Sequence, residues 1–436
     1  MMQTIDIRTL QPSRSELARL VPRASTDVAA ATESAAALID DVRARGELAL
    51  LEQAEKLDGV RPPHVRVHAS EISEAVRQLV PQVRDALEAA IERVRTATRA
   101  QVPAGSVTVI APGAEVIQRW QPVGRVGLYV PGGKAVYPSS VVMNVVPAQV
   151  AGVRSVALAS PPQKAFGGAI HPTILGAAGL LGVDEIYAMG GAGAIGALAY
   201  GVPSIGLDPV DIITGPGNIY VAAAKRLVRG VAGIDSEAGP TEILVIADAS
   251  ADPVLVAADL VSQAEHDELA AAVLVTDSRE LAGAVAAEVE RIAASAHHGD
   301  RVRTALAGQQ SAIVLVADLA AAAAFSNAYG PEHLEIQTEV PGEVLDLIDN
   351  AGAIFLGAHS PVSLGDYLAG SNHVLPTGGQ SRFSSGLGAY TFLRPQQVIQ
   401  YDRPALEAVS RAIVDLSTAE DLPAHGAAVT ARFTET

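Results

Sequence analysis

Cysteine is missing from this chain and basic charge is scarce. With no cysteine among 436 residues, disulfides and thiolate metal ligands are excluded, which fits a reducing cytoplasm. Any metal must then be held by nitrogen and oxygen donors. Lys and Arg total 31 against 48 Asp and Glu, a formal charge of −17. That balance argues against nucleic acid as a partner, because phosphate-backbone affinity needs a basic footprint. It leans instead toward a small cationic substrate. No apolar run reaches the roughly 18–20 residues of a membrane span. The opening MMQTIDIRTLQPSRSELARL has no apolar h-region or A-x-A cleavage site, so no secretory leader is expected. No repeat at solenoid periods is present.

What is there describes a well-packed protein of two or three domains, with 49% hydrophobic and 18% charged residues. Residues 27–57 and 69–102 read as long Ala-rich helices with charge on one side. From about 124 the pattern turns to short apolar runs separated by Gly-punctuated helical stretches. RVGLYV (125–130), SVALAS (155–160), EIYAM (185–189) and DIITG (211–215) form one strand series. EILVIAD (242–248), AAVLVTD (271–277), AIVLVAD (312–318) and AIFLG (353–357) form a second. Strands apolar throughout and spaced by helices imply two α/β modules with parallel sheets buried on both faces. Segment 358–392 is rich in Gly, Ser and Pro and too long for an idle connection, and 404–433 reads as a small helical tail.

Three glycine-rich turns invite a cofactor reading. GAGAIG (191–196) matches G-x-G-x-x-G after a strand, but a close helix contact explains it as well. In ITGPGNIYVAAAK (213–225) a rigid turn leaves N–H groups free at a helix start, and Asn218 either caps that helix or donates to a ligand. GLYVPGGK (127–134) follows a strand's carboxyl end, where open α/β sheets bind ligands.

The polar residues raise a sharper question. Gln263 and His266 lie three apart at the end of a helix, on one face, amid Asp259, Glu265, Asp267 and Glu268. Glu332 and His333 open an extended segment after Pro331, and both can exchange protons near neutral pH if burial raises the Glu. Asp366 and His373 share a loop bent by Gly365, Gly370, Gly378 and Gly379. With Gln263, His266 and the distant His425, Asp366 would complete a donor set suited to Zn²⁺ or a similar borderline divalent ion. No self-sufficient motif such as H-E-x-x-H supports it. His64, His68, His297 and His298 read as solvated, His171 as a helix cap, and nothing distinguishes His359.

Taken together, ITGPGNIYV, AGPTEILVIAD, SQAEHD, GPEHLEI, GDYLAGSNHVLPTGG and AEDLPAHGAAVTAR resemble the histidinol dehydrogenase family in order and approximate spacing, from about residue 20 to the C-terminus. The resemblance implies oxidation of L-histidinol through L-histidinal to L-histidine, the last steps of histidine biosynthesis, with two NAD⁺ and one zinc ion per site. It implies Gln263, His266 and Asp366 as zinc ligands, with His425 reaching in from a partner subunit. His333 would be the general base and Glu332 the activator of water. Gln263, His266, Thr241, His333, Asp366, His373, Glu420 and His425 would contact substrate. Tyr129, Gly193 and Asn218 occupy the cofactor positions.

The implied fold has two incomplete Rossmann-like modules, one inserted in the other, with a swapped helical tail that makes a homodimer obligatory for activity. The expected division is 1–26 as an N-terminal segment, 27–127 with 242–386 as the metal-bearing domain, 128–241 as the NAD domain and 387–436 as the tail. The chain departs from the family at Gly193 (usually Gln), Thr241 (usually Ser), Asp421 (commonly Gly), and Lys134 and Tyr137. A zinc hydrolase using Glu332 and a silent ligand-binding paralogue are the competing readings. Dependence on NAD⁺ separates the first from a dehydrogenase, and turnover separates the second.

Overall fold

The computed structural model describes residues 2–24, 28–132, 136–237 and 239–433. Lys134, noted above, lies outside them. β1 (Gln3–Asp6) opens the chain, and β2 (Ser106–Ala111) and β3 (Ala114–Pro122) form a hairpin after the long helices. β4 (Arg125–Tyr129), β5 (Ser155–Ser160), β6 (Ile186–Ala188), β7 (Ile212–Thr214) and β8 (Gly233–Ile234) follow. Then come β9 (Glu242–Ala247), β10 (Ala271–Thr276), β11 (Ala312–Leu315), β12 (His333–Gln337), β13 (Ala353–Leu356) and finally β14 (Leu393–Tyr401).

These strands make two parallel sheets and one antiparallel sheet. The five-stranded sheet runs β6-β5-β4-β7-β8 and the six-stranded sheet β1-β11-β10-β9-β12-β13. Numbered from their own first strands, β4 and β9, both contain the order 3-2-1-4-5, with β1 added at one edge of the larger sheet. Because β1 pairs with β11, the chain leaves the larger sheet, builds the smaller one, and returns. The apolar runs follow from burial on both faces: β9 and β10 are buried along their whole length, sandwiched between two hydrophobic clusters.

The helices of 28–99 pack on the five-stranded sheet. Val28–Arg45 packs its Ala31, Ala35 and Ile39 against one side of the five-stranded sheet. Ala69–Gln78 and Pro81–Arg99 contribute Ile72, Leu87, Ile91 and Val94 to its other side. Their apolar faces complete the smaller sheet.

β2, β3 and β14 form the antiparallel sheet in the order β14-β3-β2. It extends into the tail helices Arg403–Ala419 and Pro423–Thr430, which pack on each other. β2 is exposed throughout, with Val107, Val109 and Ile110 open, as are Ile399 on β14 and Leu416 in the tail. Among the described residues no helix is long and apolar enough to cross a membrane.

β12 breaks the apolar rule. All five of its residues are buried, yet His333, Glu335 and Gln337 alternate along one face. Gln337 Nε2 donates to Glu335 Oε1 (3.0 Å) and to Asp259 Oδ2 (3.4 Å). Burial first, and the Asp259 carboxylate second, push the Glu335 carboxyl up to about 9. This raised value means the folded chain keeps a proton that the unfolded chain releases above its ordinary value near 4.5. Glu335 therefore costs stability progressively as pH rises from about 5 toward 9. Glu335→Gln should melt higher than the parent by a margin that widens over that range, read from Tm against pH. Parallel curves would contradict the assignment.

Candidate active site

Side chains distant in sequence converge at the amino ends of β9 and β12. The helix Leu319–Tyr329 stops at Gly330, whose φ of 61° suits glycine, and Pro331 forbids its resumption. Glu332 and His333 thus enter β12 at its mouth. β13 lies so close that a Cβ on Gly352 would stand 2.5 Å from the Glu332 carbonyl oxygen, so glycine is required there. Thr241 occupies the corresponding position before β9.

A directed chain of hydrogen bonds joins these residues. Gln263 Nε2 donates to Thr241 Oγ1 (2.6 Å), and Thr241 Oγ1 donates to Glu332 Oε2 (2.6 Å). The Glu242 N–H donates to the same Glu332 oxygen (2.9 Å). With its amide nitrogen turned to Thr241, Gln263 keeps its carbonyl oxygen for another partner. Burial dominates Glu332 despite these donors and pushes its carboxyl up to about 8, so it holds a proton at neutral pH.

His333 is buried and its Nδ1 lies 3.1 Å from the Glu242 carbonyl oxygen. A carbonyl only accepts, so Nδ1 carries the hydrogen and Nε2 keeps a free lone pair. Burial lowers the pKa of the ring, against an upward pull from Asp366, which leaves a neutral base. His266 and His373 follow the same pattern: burial lowers each, and Asp366 opposes it. One carboxylate therefore acts on three imidazoles. His373 Nδ1 donates to the Asp366 carbonyl oxygen (3.0 Å), and Ser140 Oγ donates to its Nε2 (3.1 Å).

Ser140 belongs to the first turn of the helix Pro138–Ala151, beyond the carboxyl end of β4. Asn372 Nδ2 also donates to the Met143 carbonyl of that helix (2.6 Å). The cluster therefore sits between the amino edge of the larger sheet and the carboxyl edge of the smaller one.

The structure brings together Thr241, Gln263, His266, Glu332, His333, Asp366 and His373, and leaves Glu420 and His425 elsewhere. Both are exposed in the tail, whose last helix packs mainly on the helix before it. Between them Asp421 takes a φ of 58°, a left-handed geometry that Asp tolerates and Gly prefers.

The three cofactor positions also differ in setting. Tyr129, at the end of β4, is buried and accepts from the Gly191 N–H (3.1 Å). Asn218 caps the helix Ile219–Val228, Oδ1 accepting from Tyr220 and Val221 N–H, with its amide hydrogens left to donate. At Gly193 a Cβ would meet Gln53 Oε1 at 2.1 Å, so Gln53 fills the space on its side-chain side. Gly196 in the same motif lets Ile39 of the helix Val28–Arg45 approach closely, the helix-contact reading of GAGAIG.

Sequence reasoning missed Ser140 and Glu242. Glu242 acts on His333 through its backbone, while its carboxylate pairs with Arg23 (2.7 Å) and accepts from the Gly378 N–H (2.7 Å). Composition carries no signal for a backbone role. His64, His68 and Glu71 lie within 4.8 Å of one another at the start of the helix Ala69–Gln78, where the Glu71 carboxylate accepts from the His68 N–H (2.9 Å). His171 caps the helix Pro172–Leu180, as expected.

Comparison with known proteins follows the same line. A profile of the histidinol dehydrogenase family matches residues 21–433. The chain is 71% identical to a histidinol dehydrogenase of Leifsonia xyli subsp. xyli, covering 100% of both chains. It is 54% identical to one of Corynebacterium efficiens over 99% of this chain and 96% of that one. A crystal structure of histidinol dehydrogenase from Elizabethkingia anophelis superposes with a TM-score of 0.93 at 32% identity, covering 99% and 98% of the two chains.

Proposed function

The chain belongs to the histidinol dehydrogenase family and oxidises L-histidinol to L-histidine, and we propose that it does so with NAD⁺ and one zinc ion at a site shared between two subunits. The observation that carries the proposal is the convergence of Gln263, His266 and Asp366 beside the Glu332–His333 pair. The zinc-hydrolase reading does not survive the family membership.

The donor set fits the metal. An amide oxygen turned away from Thr241, an imidazole and a carboxylate are donors that Zn²⁺ accepts. Gln263, His266 and Asp366 would hold it, with His425 of a second copy as the fourth ligand. Held there, a zinc ion would supply a Lewis-acid anchor that orients the substrate. NAD⁺, held near Tyr129 and Asn218, would supply the two-electron acceptor for each oxidation.

The chain's own residues move the protons. His333 Nε2 removes the hydroxyl proton of the alcohol, and later that of the hydrated aldehyde. Its Nδ1–H, held on the Glu242 carbonyl, keeps the ring aimed. Glu332, once ionised, draws a proton from the water that adds to the aldehyde. Thr241 and Glu242 N–H fix one of its oxygens and leave the other for that water.

The 3-2-1-4-5 order in each parallel sheet is that of a dinucleotide-binding sheet without its sixth strand. We read the smaller sheet as the NAD module, with Tyr129 and Asn218 at its carboxyl edge. The exposed apolar residues of β2, β14 and the tail are the surface we assign to the second copy.

Two NADH per L-histidine formed, with turnover lost on chelation and restored by Zn²⁺, is the expected result. One NADH per substrate with aldehyde accumulating would contradict the four-electron reading.

A further inference from the structure

The proposed NAD module lacks a residue that its topology calls for. In a sheet of this order the dinucleotide lies across the carboxyl end of the first strand, and an acid at the end of the second accepts hydrogen bonds from ribose hydroxyls. Here the second strand is β5, which ends in Ser160 and runs into Pro161 and Pro162. No Asp or Glu occurs between Ser155 and Val183.

A carboxylate from elsewhere in the chain fills that place. Asp58 ends the helical segment Ala54–Asp58, just before Gly59 turns the chain with a φ of 69°. Its Oδ2 lies 3.3 Å from the position a Cβ on Gly190 would take, and Pro161 Cβ lies 2.8 Å from the same position. Asp58 therefore stands at the carboxyl ends of β5 and β6. Tyr129, at the end of β4, lies close enough for the Asp58 charge to raise its pKa after burial does. Gly191, whose N–H reaches the Tyr129 hydroxyl, begins the helix Gly191–Tyr200 beside it.

From this placement we infer that Asp58 is the ribose-binding acid of the cofactor site and selects NAD over NADP. The inference rests on the NAD reading above and adds a residue and a discrimination to it. Asp58 has the character the role needs: burial alone acts on it, raising its carboxyl to about 6. It is ionised at neutral pH, and no side chain or backbone donor among the described residues engages it. A pair of ribose hydroxyls would supply the missing donors. A 2′-phosphate would bring like charge against a half-buried carboxylate, which disfavours it.

The test is cofactor binding to the zinc-loaded enzyme, read from nicotinamide fluorescence with NADH and NADPH. The parent should bind NADH at least tenfold more tightly than NADPH. Asp58→Asn should weaken NADH about tenfold, the worth of a hydrogen bond to a charged acceptor, and narrow the preference. The KM for NAD⁺ should rise in parallel while that for L-histidinol holds. Asp58→Ser serves the same purpose should the Asn variant melt early. Unchanged dissociation constants for both nucleotides in a folded variant would overturn the assignment while leaving the NAD reading intact. A parent that binds neither nucleotide would overturn both.

Discussion

Glu332→Gln is expected to uncouple the two oxidations: L-histidinol still becomes aldehyde, but conversion of aldehyde to L-histidine falls about a hundredfold or more. The amide preserves the shape and the acceptor. Its oxygen takes the two hydrogen bonds that Thr241 Oγ1 and the Glu242 N–H now give to Oε2, so the fold and the approach of substrate are kept. What it removes is the ionised state. Burial raises the Glu332 carboxyl to about 8, so below that pH the group holds a proton and cannot act as a base. Aldehyde oxidation in the parent should therefore rise with pH through about 8, and that limb should vanish in the variant. His333→Asn should behave differently. Both oxidations need its free Nε2, and both should fall by about a thousandfold. Stopped-flow measurement of NADH from L-histidinol and from L-histidinal, across pH, separates the two roles. Equal losses in both half-reactions for Glu332→Gln would refute the division of labour.

How much of this was legible in the sequence depends on what burial does to a residue. Strands buried on both faces must be apolar throughout, so β5, β9 and β10 stood out within a residue or two of their bounds. β12 carries His333, Glu335 and Gln337 on one face, so its pattern marked chemistry before it marked a strand. β2 (SVTVIA) alternates at its start, yet it lies in the open, so that alternation marks no buried face. The helices of 28–99 read correctly as helices, with a break at Gly46, but an amphipathic face does not say which sheet it covers.

The site divides along a similar line. Gln263 and His266 are one turn apart and visible as a pair, while Asp366 and His333 join them only through the fold. The family resemblance supplied that link, and spacing alone could not. Position in a motif does not give the direction of a side chain, and at Gly193 Gln53 occupies that direction. Nothing in the sequence sets Asp58 apart from the chain's other acids. Only the crossing of the chain over β5 gives it a distinct setting.

The largest structural claim concerns His425. It is exposed, on a helix that packs mainly on its neighbour in the tail, and among the described residues no hydrogen bond or ion pair joins its side chain to the cluster within one chain. If it completes the metal site of a second copy, His425→Ala should lose most of its zinc and nearly all turnover. Losing one of four ligands costs far more than a surface change.

Subunit mixing reads this most directly. Chains carrying His333→Ala and chains carrying His425→Ala should each be inactive alone. A hybrid dimer holds one site with both defects and one with neither. Refolded together in equal amounts, they should recover about a quarter of parental activity, because half the dimers are hybrids with one of two sites intact. Recovery near that fraction, with zinc in proportion, is the predicted result. A mixture that forms hybrid dimers yet stays inactive would show that His425 serves its own chain or none, and the shared site would have to be abandoned.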